Sequence, residues 1–182
     1  LENHFGLALL HKCNATMQLN CSAEMGPRVK ISDIINMISF QSYNSACCLD
    51  REKGEPFLIS KEQLRVAEED AELVDYLEWE REQIKLAREI LTDKKGERYI
   101  LTPGKFVSHE YSTMENFCFS FDDEEISKAL LQAIKGAGAF SRFNNCIHRY
   151  GIADDWYKYR YNSMKRIVID WCEGNHIKYV EK

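Results

Sequence analysis

The sequence predicts an α+β fold: a helix-rich single domain with a small antiparallel sheet, made of an N-terminal hairpin and a short central strand. Three observations predict it. Apolar residues recur at helical spacing through most of the 182 residues. A short apolar run, a Gly-containing turn and a second apolar run follow one another between Ser45 and Ser60. With 45% apolar residues, the chain can bury a sizeable core.

Residues 1–25 stand apart. They hold few charges and no clear periodicity, so they are read as an atypical N-terminal extension outside the fold, with Met25 as an alternative start and 26–182 as the domain. His4, His11, Cys13 and Cys21 lie there, at a spacing that fits no zinc pattern. No metal and no cofactor is expected.

Ile31, Ile34, Ile35 and Ile38 form a helical stripe, with Ser32 as the expected N-cap. Ser45–Asp50 reads as a strand, Arg51–Glu55 as a turn around Gly54, and Pro56–Ser60 as the return strand. Neighbours Cys47 and Cys48 point to opposite faces of a strand, which favours packing over redox chemistry. Ser60 and Gln63 have the spacing of a capping box. A helix over 79–91 buries Ile84, Ala87 and Leu91, and Lys94-Lys95-Gly96 ends it. Arg98–Thr102 is a short strand stopped by Pro103-Gly104. Met114, Phe117 and Phe121 mark the next helix, and acids at 122–125 open another. The last helix, about 153–174, turns Met164, Ile167 and Trp171 inward, and 176–180 forms a terminal strand or tail.

Charge is segregated. From Arg51 to Glu125, acids outnumber bases twenty to eleven. Beyond, Lys128, Lys135, Arg142, Arg149, Lys158, Arg160, Lys165 and Arg166 face only Asp154 and Asp155, in a chain of net charge −5. Within the basic half lies Lys135-Gly136-Ala137-Gly138-Ala139-Phe140-Ser141-Arg142-Phe143, which reads as helix, Gly-rich corner, helix. One reading is a ligand site, with backbone N–H groups at the corner and charge from Lys135 and Arg142. The other is a close helix crossing with Phe140 and Phe143 in the core. A Walker-type phosphate loop and a dinucleotide fingerprint are both excluded, since no strand leads into the glycines.

The run Ile134–Phe143, with Tyr150-Gly151-Ile152, Trp156-Tyr157 and the closing Trp171-Cys172-Glu173-Gly174-Asn175, resembles the bacterial uncharacterised protein family 0158. Gly136, Gly138, Ala139, Phe140, Arg142 and Phe143 match its Gly-any-Gly-Ala-Phe-Arg-Arg-Phe type motif. The hairpin with Leu49-Asp50 and Gly54 is similar too. Ala137 and Ser141 stand where the family carries basic residues, which removes positive charge from the motif. The resemblance implies a fold and a compartment, and no chemistry.

Three functions follow from the residues. The first is a binding module holding nucleic acid or another polyanion on 135–166. Lys135, Arg142, Arg149, Lys158 and Arg160 would meet phosphates, Trp156, Tyr157 or Tyr159 would stack on bases, and Gly136 and Gly138 would open the corner. The second is a protein-interaction or self-assembly domain, in which acidic helices (61–93) complement basic ones (128–166) within a chain, between copies in a homo-oligomer, or with an acidic protein. The third is an enzyme using His148 with Asp154 or Asp155, though no nucleophile or metal set accompanies them. No run of apolar residues is long enough for a membrane span. The odd count of seven cysteines points to reduced thiols and a cytoplasmic location.

Overall fold

The computed structural model describes residues 26–69, 72–104 and 107–181. Among them are seven helices and five short strands, which makes the chain α+β and mainly helical. In order they are β1 (Val29–Lys30), α1 (Ile31–Phe40), β2 (Ser45–Asp50), β3 (Glu55–Ser60), α2 (Lys61–Glu68), α3 (Glu78–Thr92) and β4 (Tyr99–Leu101). Then come α4 (Val107–Phe119), α5 (Glu124–Ala133), α6 (Ala139–Arg149), α7 (Ala153–Gly174) and β5 (Tyr179–Val180). Contacts divide the chain into two compact units, one reaching Gly104 and including Asp170–Lys182, the other Lys105–Ile169.

The first unit is built on an antiparallel sheet in the order β3-β2-β4. Cys48 pairs with Phe57 on one side and with Leu101 on the other. Gly54 makes the hairpin possible with φ of +72°, and its N–H donates to Asp50 O at 2.7 Å. Cys48 faces a cluster with Leu64, Val66 and Ala67 of α2 and Ile84, Ala87 and Ile90 of α3. Cys47 and Leu49 point the other way and are as fully buried. Both faces of this central strand are therefore covered, and burial raises the Cys47 thiol above its ordinary range.

The expected capping box is present: Gln63 N donates to Ser60 Oγ at 3.1 Å and Ser60 N to Gln63 Oε1 at 2.8 Å. The expected N-cap of α1 is not Ser32. Lys30 takes that position, because β1 runs straight into the helix, and the Ser32 hydroxyl donates to Asp33 instead. β1 pairs in parallel with β5, a contact between the first and the last of the described strands that no local pattern announces.

The second unit packs α4, α5, α6 and the first part of α7 around Phe117. Its ring meets Phe121 at 4.9 Å, Trp156 at 5.2 Å, Tyr159 at 5.3 Å and Phe143 at 6.2 Å. Met114, Cys118, Leu130, Ile134 and Ile147 complete this core. Phe140 does not belong to it. The inward stripe of α6 runs through Ala139, Phe143 and Ile147, so Phe140 lies off it and is 46% exposed. In the later part of α7 the buried positions are Val168 and Cys172, with Met164, Ile167 and Trp171 only half-buried beside them.

Candidate functional site

α5 begins where Asp123 accepts from the N–H groups of Glu125 (2.8 Å) and Ile126 (3.2 Å). It ends at the glycine corner. Gly136 and Gly138 have φ of +70° and +78°, a region that favours glycine, and Gly138 is the N-cap of α6. The chain thus reverses within a few residues, and α5 and α6 lie side by side.

Arg142 holds the corner closed. Its Nε donates to Ala133 O at 3.1 Å, Nη1 to Ala137 O at 2.6 Å, and Nη2 to Lys135 O. All three guanidinium nitrogens thereby satisfy carbonyls that the end of α5 and the corner leave unpaired. A Cβ on Gly138 would stand 3.0 Å from Nη1. Arg142 is thus a clasp as well as a charge, a role the sequence reading did not assign.

Beside the clasp lies a groove of ≈ 520 Å³ lined by Ala129, Gln132 and Ala133 of α5, Lys135 of the corner, and Arg142, Asn145, Cys146, Arg149 and Tyr150 of α6 and its C-cap. Arg142, Asn145, Cys146 and Arg149 follow one another at helical spacing along one face. Three of the lining residues are cationic and none is acidic. The Cys146 thiol is held above its ordinary range by burial, with the Arg149 charge pulling the other way.

The groove brings Lys135, Arg142 and Arg149 together, with Gly136 and Gly138 forming its corner. Others of the expected binding residues go elsewhere. Trp156 is 6% exposed and packs on Phe143 at 4.8 Å, so it is core and has no face for a base. Tyr159 is half-buried against Phe117. Arg160 donates through Nε to Glu110 Oε1 at 2.6 Å, an ion pair that offsets its charge. Tyr157 and Lys158 are exposed on α7 and do not line the groove. Gln132, Asn145 and Cys146 were not singled out from sequence, and Tyr150 entered only in the resemblance; the helical spacing of 142, 145, 146 and 149 after Gly138 is the signal that marks Asn145 and Cys146.

His148, Asp154 and Asp155 are all exposed, and no hydrogen bond or ion pair joins His148 to either acid. On the acidic side, Arg65 bridges Glu62 and Glu69, both at 2.6 Å, along an exposed face of α2. Among the described residues no group of three His, Cys, Asp or Glu side chains is placed to hold a metal ion, and no helix is long and apolar enough to cross a membrane. The residues 1–25, with His4, His11, Cys13 and Cys21, lie outside the described residues.

A family model described as Uncharacterised protein family (UPF0158) matches residues 29–182. No curated protein and no solved structure matches the chain.

Proposed function

Because the chain belongs to the uncharacterised protein family UPF0158, whose description assigns no activity, we propose its function from the site itself: a binding module that holds a polyanion, nucleic acid foremost, in the groove between α5 and α6. One observation carries this reading. Lys135, Arg142 and Arg149 surround a single depression that no carboxylate lines. A chain of net charge −5 repels polyanions over most of its surface, so such a groove focuses them.

The test is retention of a mixed RNA and DNA pool by purified protein across a salt series. Arg142 is left intact, since it also closes the corner. Lys135→Ala/Arg149→Ala removes the two cations that have no such duty. Wild type should retain the pool at low salt and release it steeply as salt rises. The variant should bind more weakly and lose roughly one to two units of log–log salt slope. Equal retention by both proteins, or none at low salt, overturns the reading.

A second reading, protein interaction through the acidic segment, has its own observation. Val74, Leu77 and Trp79 are exposed, Trp79 by 60%, and Glu72, Asp75, Glu78 and Glu82 are exposed around them in sequence. The loop is fixed in place: Arg81 donates to Tyr76 O at 2.8 Å and Val74 O at 2.9 Å, and Leu77 N to Glu80 Oε2 at 2.8 Å. An apolar tip among carboxylates suits a basic partner surface, including the 128–166 segment of a second copy. Light scattering of wild type and Trp79→Ser at low and high salt checks self-association. A mass equal to one chain under every condition removes that form of the reading.

A further inference from the structure

The groove is not evenly charged, and that pattern narrows its ligand. Arg142 and Arg149 stand two helical turns apart on α6, about 10 Å along the axis. Lys135 joins Arg142 at the corner end, and Tyr150 joins Arg149 at the other. Between the ends the lining is uncharged: the carboxamides of Gln132 and Asn145, the thiol of Cys146, and the methyls of Ala129 and Ala133. A sulfated polysaccharide, which carries its charges on the sugar rings and has no neutral flat side group, would leave this middle unused. A nucleotide chain matches it, since phosphates alternate with neutral, flat, hydrogen-bonding bases.

We propose that the groove takes single-stranded nucleic acid with one base seated in it, the base face against Tyr150 and its edge at Gln132 and Asn145. This rests on the polyanion reading of the same groove. Each carboxamide carries a donor NH₂ and an acceptor oxygen, the complement a base edge requires. The Tyr150 ring supplies a stacking surface of the kind that single-strand binders use. Lys135 and Arg149 contact the flanking phosphates. Arg142, its three nitrogens already donating to Ala133, Ala137 and Lys135 carbonyls, positions the corner and adds its field. The groove, ≈ 520 Å³ and open to solvent, has room for a base.

The experiment is fluorescence anisotropy at one fixed salt concentration. The probes are the four homopolymeric RNA decamers, a duplex of the same length, and a heparin fragment of matched charge. Wild type should bind at least one single strand more tightly than duplex and heparin, and should distinguish among the four bases. Tyr150→Ala should weaken the single strands roughly ten-fold and leave heparin unchanged, while Tyr150→Phe keeps wild-type binding. Gln132→Ala/Asn145→Ala, two surface substitutions, should flatten the preference among bases and retain the salt dependence. Equal affinity for all four decamers, no better than heparin, overturns the inference and leaves the polyanion reading standing. Binding of none of the probes overturns both.

Discussion

The guanidinium of Arg98 meets the buried carboxylate of Asp50 at 3.0 Å, and this contact ties the hairpin to the third strand of the sheet. Asp50 is 4% exposed and its other oxygen accepts from the N–H groups of Glu52 (2.9 Å) and Lys53 (3.2 Å). Burial opposes its ionisation, but the Arg98 hydrogen bond and the two turn N–H groups outweigh burial and lower its pKa. A carboxyl with a lowered folded pKa stabilises fully above its unfolded value, about 4, and that stability is lost as pH falls through the folded value. Asp93 acts with the same sign: burial opposes ionisation, and the N–H groups of Tyr99, Arg98 and Glu97 overcome it. Asp50→Asn should therefore lower stability by about 2 kcal/mol at pH 7 and by less near pH 3, below the unfolded value. Urea midpoints at the two pH values check this; an equal loss at both would show that the charge is not what stabilises the turn.

Phe117 is the centre of the second core, with four rings around it. Phe117→Ala leaves a cavity that those rings cannot all close, at a cost of about 3–5 kcal/mol. Phe140→Ala, on the same unit but half in solvent, should cost under about 1 kcal/mol. Thermal unfolding of the two variants gives the contrast directly.

Arg142 and Gly138 are predicted to fail in related ways. Arg142→Lys keeps the charge and loses the planar fork that reaches three carbonyls, so it should destabilise by about 1–2 kcal/mol, close to Arg142→Ala. Gly138→Ala should cost about 1–2 kcal/mol, through its positive φ and the contact with Nη1. If Arg142→Lys retains wild-type stability, the clasp is not a structural requirement.

Cys146 offers a direct report on occupancy of the groove. Cys47, Cys48, Cys118 and Cys172 are buried, whereas Cys146 is half-exposed. In a Cys13→Ser/Cys21→Ser background, maleimide should modify Cys146 first. Its raised pKa keeps the thiolate scarce at neutral pH, so the rate climbs as pH rises, and Arg149→Ala, by removing the charge that opposes the rise, should slow the reaction at a given pH. Saturating RNA should protect the thiol. Unchanged labelling with bound RNA would place the RNA elsewhere on the chain.

Local signals were the legible ones. The hairpin around Gly54, the Ser60–Gln63 box and the Gly136–Gly138 corner each depend on neighbours in sequence, and each is where its residues indicate. The glycine corner named the place of the groove. Its occupants were harder to read. An arginine that donates to backbone carbonyls looks, in sequence, like one that waits for a phosphate. Trp156, beside Asp154, Asp155 and Tyr157, has the neighbours of a surface residue, and only the packing of Phe117 and Phe143 against it reveals a core position. The β1–β5 pair, two residues on each side, has no periodicity to detect.

That pair has a consequence in time. β5 follows all of Lys105–Ile169 along the chain, yet its partner β1 precedes the hairpin of the first unit. During synthesis the second unit is complete in sequence while the first still lacks a strand. The unit that holds β1 starts before the other and is completed after it, and until Tyr179 and Val180 leave the ribosome the edge of β1 lacks its partner and is open to other strands.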